Sequence, residues 1–224
     1  MVKPLKKYEF AVIATDTVIF TIKDDELNVL LIKMKKKLFQ GLWAIPGGLV
    51  KPNESVDSSA KRNLFEKTRM KDVYLEQLYT FGKINRDPSG RVVAVAYFAL
   101  IPASDIRLKT LKDSDDTDWF PVNLLPELAY DHDKIVNFAV ERLKSKLAYT
   151  NIAYGLLPEE FTLSELQKIY EIILDRKMDK RNFRKKILSL KLLSRTGNKT
   201  QGKAHRPANL YRFREKSPRV TQIL

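Results

Sequence analysis

A chain of 224 residues, 44% hydrophobic and 30% charged, can bury a core as one large domain or two unequal ones and is not disordered throughout. It has no cysteine, which excludes a disulfide scaffold, a thiolate metal site and a cysteine nucleophile together. The formal net charge is +14, and the N-terminal residues have no apolar run of leader length, so a cytoplasmic protein is expected.

In chain order, residues 10–22 are apolar with a β-branched bias, residues 23–26 are polar, and residues 27–32 are apolar again. That pattern predicts two strands joined as a hairpin. Gly41, Pro46, Gly47 and Gly48 mark a loop, and residues 55–70, free of Gly and Pro, predict a helix. Residues 91–101 predict a strand buried on both faces. Its apolar part, 92–101, is about half the ~20 residues needed to span a bilayer, so no membrane contact is expected. Residues 119–122 predict a short strand. Residues 131–147 predict an amphipathic helix, with Ile135, Phe138, Ala139 and Leu143 at helical spacing. These elements define an α/β domain over residues 1–147, and residues 148–161, with Gly155 and Pro158, read as a linker.

A second domain, residues 162–224, opens on a capping box. Thr162 and Glu165 are spaced to satisfy each other's backbone donors at a helix start. The helix extends to about residue 174. Asp179 is placed to cap a second helix over 180–192. Phe183, Ile187 and Leu190 form its inner stripe, Arg181 and Lys185 lie near the opposite side, and Asn182 and Arg184 flank them. A turn-rich stretch at 196–202 precedes an alternating strand at 209–213. Residues 176–219 hold 16 basic and two acidic side chains. Such a patch attracts polyanions by releasing condensed counterions, although a solvated basic face or a disordered basic tail is the bland alternative. Helix, tight turn, basic helix and basic hairpin is the order of a winged helix-turn-helix. Arg181, Asn182, Arg184, Lys185 and Lys186 are then expected to meet duplex DNA from the helix, Arg reading guanine and Asn adenine. Lys199, Lys203, His205 and Arg206 are expected to meet phosphates from the wing, or the minor groove in the case of Arg206.

Residues 41–70 carry a different pattern. Gly48, Glu54, Arg62, Leu64, Glu66 and Met70, behind a Trp-Ala-Ile-Pro-Gly-Gly run at 43–48, stand in the register of the Nudix box. That motif marks enzymes hydrolysing nucleoside diphosphates linked to another group. The resemblance fails at three positions: Asn63 and Lys67 stand where the box has Glu, and Arg69 where it has Gly. The box works because carboxylates along one side of a helix hold hard divalent cations that activate water. Glu-to-Asn removes one negative charge, and Glu-to-Lys changes the local sum by two and sets an ammonium in competition with the cation. Turnover is therefore not expected, no catalytic residue is assigned, and no cofactor is expected beyond weak magnesium at Glu54 and Glu66. Arg69 also replaces the residue best suited to a left-handed helix exit.

A degenerate Nudix domain followed by a winged helix resembles the Nudix-related transcription regulators, the NrtR-like family. Stretches at 81–97, 156–162, 179–184 and 205–213 extend the resemblance over nearly the whole chain. It implies a Nudix-like mixed sheet between helices, then a small winged helix-turn-helix domain. It also implies a homodimer joined through the Nudix domains, bound to a palindromic double-stranded DNA operator. A small-molecule effector in the old substrate pocket, ADP-ribose or a sugar such as arabinose, would alter DNA affinity. Arg86 and Arg91 fall in the family-like loop, suited to pairing with a pyrophosphate without metal or to bracing the loop against Asp87. Trp43, Arg62 and Glu66 complete the expected ligand contacts, with core packing the other reading of Trp43. Two rival readings remain open: an active hydrolase of ADP-ribose-like substrates with a nucleic-acid-binding tail, and an RNA-binding adaptor.

Overall fold

The structure is a computed structural model and describes residues 10–35, 37–105, 117–201 and 207–223. The chain runs β1 (Val12–Lys23), β2 (Glu26–Lys33), β3 (Trp43–Ala44), β4 (Gly47–Leu49), α1 (Val56–Thr68), β5 (Tyr74–Phe81), β6 (Val92–Leu100), β7 (Thr117–Pro121) and α2 (His132–Tyr149). It continues through α3 (Leu163–Leu174), α4 (Lys180–Ser189), β8 (Leu193–Lys199) and β9 (Asn209–Phe213). β1 and β2 form the expected hairpin. Asp24 and Asp25 both take positive φ at its turn, 51° and 64°, which matches the right-handed twist of the flanking strands.

The first domain is built on a seven-stranded mixed sheet in the order β3-β2-β1-β6-β5, with β4 added to β1 and β7 to β2. β1 and β6 are parallel, and the other pairs are antiparallel. Along the central strands β1, β2 and β6 side chains alternate between its faces. Ile19, Leu30, Ala99 and Ile101 pack with Leu64 of α1 and Trp119 on one side. Val18, Phe20, Val29, Leu31, Phe98 and Leu100 pack on the other with Ile135, Ala139 and Leu143 of α2. Burial on both faces is why the central strands read as continuous apolar runs. Phe138, expected in the buried stripe of α2, turns outward instead, 39% exposed and close to the rings of Tyr79 and Phe81.

In the second domain α3 carries the capping box, with Thr162 Oγ1 accepting from Glu165 N at 3.1 Å and Glu165 Oε2 from Thr162 N at 2.6 Å. Asp179 caps α4, which ends at Ser189 rather than 192. Phe183 and Ile187 face the core, and Tyr170 and Phe183 meet edge to face. β8 and β9 form the wing hairpin, so part of the expected turn region at 196–202 is strand.

Residues 148–161 are not a linker. They include a 3-10 helix, Ile152–Leu156, whose apolar side chains enter the same core as the sheet, α3 and α4. A Cβ added to Gly155 would lie 2.8 Å from Leu100 Cβ and 3.1 Å from Tyr74 Cβ, so this helix presses directly on the sheet. The C-terminal tail clamps the segment from behind: Arg219 N donates to Asn151 Oδ1 at 2.6 Å, and Thr221 N and Ile223 N to Tyr149 O and Ala148 O at 2.8 Å. Burial of Ile152, Ala153, Leu156 and Leu157 outweighs the turn signals of Gly155 and Pro158. Among the described residues no helix is long and apolar enough to cross a membrane.

Candidate functional site

Ser55 caps α1, and the box helix is held against β1 by a buried polar network. Asn63 Nδ2 donates to Thr15 Oγ1 at 2.9 Å, Thr15 Oγ1 meets Ser59 Oγ at 3.0 Å, and Asn63 Oδ1 accepts from Arg62 Nη1 at 3.1 Å. Arg62 also grips Glu54 with two donors, Nη2 at 2.6 Å and Nε at 3.0 Å, and reaches Glu66 at 3.5 Å. The Arg62 hydrogen bonds, reinforced by the backbone N–H of Lys51, hold the Glu54 carboxyl down at about 2. Both oxygens of Glu54 are thus engaged, by Arg62 of α1 and by the backbone of Lys51.

Beside this network a cleft of about 340 Å³ opens between the sheet and the loops, large enough for a small molecule. Four cations line it, Lys33, Lys35, Lys67 and Arg86, against the two carboxylates Asp16 and Asp87. Arg86 is buried. It donates to Asp131 through Nη2 at 2.7 Å and Nε at 3.3 Å, and it reaches Asp16 at 3.4 Å. His132 closes the floor: its Nδ1 accepts from Ile45 N at 3.2 Å, and its Nε2 lies 3.8 Å from Asp16 Oδ2. Burial pushes the His132 pKa below its ordinary value, against the pull of Asp16, so the ring is neutral at neutral pH with its proton on Nε2. Gly47 permits this arrangement, because a Cβ there would fall 2.3 Å from Asp16 Oδ1 and 2.7 Å from Thr15 O.

The second site is the outer face of the winged helix. Arg181, Asn182, Lys185 and Lys186 are exposed on α4, and Lys199 is exposed at the tip of β8. Arg184 differs from the other helix residues. Its Nη2 donates to Ser164 Oγ at 3.0 Å and its Nε is buried without a hydrogen-bond partner, so it helps seat α4 on the start of α3. Lys203, His205 and Arg206 lie outside the described residues.

The NUDIX domain model matches residues 13–138, and that of the NrtR DNA-binding winged helix domain matches residues 153–213. Over 211 residues the chain is 36% identical to the ADPR responsive transcriptional repressor NtrR of Acinetobacter baylyi, covering 92% of this chain and 83% of that protein. It is similar to Shewanella oneidensis NrtR complexed with a 27mer DNA, with a TM-score of 0.82, 36% identity, and coverage of 90% of this chain and 93% of that one. It is also similar to the NUDIX domain of that NrtR complexed with ADP ribose, with a TM-score of 0.54, 35% identity, and coverage of 61% and 90%. The chain belongs to the NrtR family.

Within this NrtR-family chain, Arg86 alone of the five expected ligand contacts lines the cleft. It is braced by Asp131 and Asp16 rather than by Asp87. Arg91 Nη1 donates to Gly82 O at 3.0 Å and so ties down its own loop. Trp43 packs edge to face on Phe120 with ring centroids 4.6 Å apart, the core role. Arg62 and Glu66 belong to the box network and do not line the cleft. Lys67, Asp16, Tyr130 and His132 do line it, and sequence reasoning did not name them as ligand contacts. The Nudix fold implies a divalent cation, but this donor set does not fit one. Asn63 is neutral and its side-chain nitrogen and oxygen are both hydrogen-bonded inside the protein, Glu54 is held by Arg62, and Lys67 brings a positive charge where the box has a carboxylate. Among the described residues no three His, Asp or Glu side chains come together as a metal-binding group.

Proposed function

We propose that this protein is a ligand-responsive transcriptional repressor. Its winged helix binds an operator, and its Nudix-like cleft takes ADP-ribose without hydrolysing it. The observation that carries this reading is the joining of an exposed basic reading helix to a cleft rich in cations beside a disabled carboxylate box. The similarity to a repressor named as ADPR responsive, and to NrtR solved with DNA and with ADP ribose, supports it. The reading includes a cytoplasmic homodimer whose two heads meet major-groove faces about 34 Å apart. The exposed pair Tyr79 and Phe138 gives the first domain an apolar patch of the kind partner surfaces cover. To switch occupancy usefully, the effector must favour one state over the other by ~1–3 kcal/mol.

The test is a fluorescence-anisotropy titration on the operator found upstream of genes this protein controls, with ADP-ribose and arabinose added in separate series. ADP-ribose is expected to shift DNA affinity at least tenfold; a shift with arabinose alone would reassign the effector. Incubation with ADP-ribose and Mg²⁺ or Mn²⁺ addresses the hydrolase reading. Release of AMP at ~1 s⁻¹ or faster, ordinary for an enzyme, would overturn the non-catalytic assignment.

A further inference from the structure

We infer that the ammonium of Lys67 takes the place of the divalent cation in this cleft, so that the diphosphate of a nucleotide-sugar ligand is bound without metal. The inference rests on the proposed ADP-ribose reading and assigns the group that neutralises the ligand's charge. Of the box positions that hold metal in a working Nudix site, Glu54, Asn63 and Glu66 do not line the cleft, whereas Lys67 does. Exchanging a carboxylate for an ammonium moves the local charge by two units, as much as one magnesium ion brings. Lys67 sits in the last turn of α1, where the exposed carbonyls of the helix end favour a cation. Arg86 also lines the cleft, but two carboxylates already compensate its charge. An ammonium pairs with phosphate oxygens as a point charge, yet it does not lower the pKa of a bound water as a metal does. The exchange thus supplies a counter-charge for a diphosphate and, together with Asn63, withdraws two of the carboxylates that would hold a water-activating metal.

The test is calorimetric titration of the full chain with ADP-ribose and, separately, with inorganic pyrophosphate, each in EDTA and in Mg²⁺. Kd for ADP-ribose is expected to agree within about twofold between the two buffers. Lys67→Glu is expected to weaken binding at least tenfold in EDTA, which corresponds to 1.4 kcal/mol, and Lys67→Arg to retain it. Thermal unfolding of each variant checks that it is folded. The double variant Asn63→Glu/Lys67→Glu is expected to regain affinity at least tenfold on adding Mg²⁺. A wild-type affinity that needs Mg²⁺, or a Lys67→Glu variant that binds like wild type in EDTA, overturns the inference while leaving the ADP-ribose reading intact. If ADP-ribose does not bind but pyrophosphate binds in EDTA through Lys67, the ADP-ribose reading falls and the Lys67 assignment stands; if neither binds, both fall.

Discussion

His132 sits where two effects compete. Burial disfavours its charged form and the nearby Asp16 carboxylate favours it, and burial wins. The unfolded chain therefore binds a proton near the ordinary value of 6.5 that the folded ring still refuses. The stabilisation from keeping this ring neutral is complete above that value and declines as the pH falls through it toward the depressed folded value. The melting temperature is expected to drop between pH 7.5 and 5.5, and less steeply in His132→Asn, which still offers an acceptor to Ile45 N but does not titrate. Parallel slopes would mean that other groups set the acid sensitivity. Arg69 shows a different residue-level tension. It closes α1 at φ 59°, ψ 14°, in the left-handed region that costs a side-chain-bearing residue ~1 kcal/mol. Its guanidinium lies 5.7 Å from the Phe65 ring centroid, which offsets part of that. Arg69→Gly is expected to raise the urea midpoint by the equivalent of about 0.5 kcal/mol, and a lowered midpoint would show the ring contact to be the larger effect. The helix-exit problem was legible, because the box register names the position that should be Gly. The cluster of Arg86 and Asp16 with the Asp131–His132 pair was not, since these three places are far apart in sequence and nothing local marks them as neighbours.

At the scale of elements, legibility followed how local the cause is. α3 could be read almost to the residue because its start is fixed by groups three positions apart. β1, β2 and β6 could be read because burial on both faces leaves long apolar runs. β5 was missed: Glu76 and Gln77 interrupt its apolar side chains, a bulge between Gln77 and Tyr79 breaks the alternation, and Glu76 is held by Lys146 and Arg142 from α2. The 3-10 helix at Ile152–Leu156 was hidden for the same reason, its stability coming from contacts with the distant sheet. Gly155 tests that account. Gly155→Ala places a methyl group against Leu100 and Tyr74 and is expected to cost about 1–3 kcal/mol by overpacking. Urea unfolding followed by tryptophan fluorescence, which reports the first domain through Trp43 and Trp119, should shift together with the helical circular dichroism signal. A shift in only one of the two signals would show that the domains unfold independently despite the shared core.

For the molecule as a whole, that shared core changes how a bound effector can act. A flexible tether would let the reading heads reorient freely. Instead the buried 3-10 helix packs the winged helix against the sensor domain and the tail strap holds it from behind, while the exposed ion pair between Lys168 of α3 and Asp25 of the β1–β2 turn adds only a weak tie. In the proposed homodimer, an effector is then expected to act on the separation of the two heads at the contact between protomers rather than through a flexible tether. DNA contacts divide by chemistry on this rigid frame. Arg181, exposed on the outer side of α4, suits a base edge, so Arg181→Ala is expected to reduce discrimination between the operator and a base-substituted operator by about 1–3 kcal/mol. Lys199, at the end of β8, suits a phosphate. Lys199→Ala should weaken binding to all duplexes alike and lower the salt slope by about one counterion. Anisotropy titrations of both variants across a salt series, on cognate and altered duplexes, separate the two behaviours. If Lys199→Ala relaxes the sequence preference while Arg181→Ala only flattens the salt slope, the wing reads the bases and α4 grips the backbone.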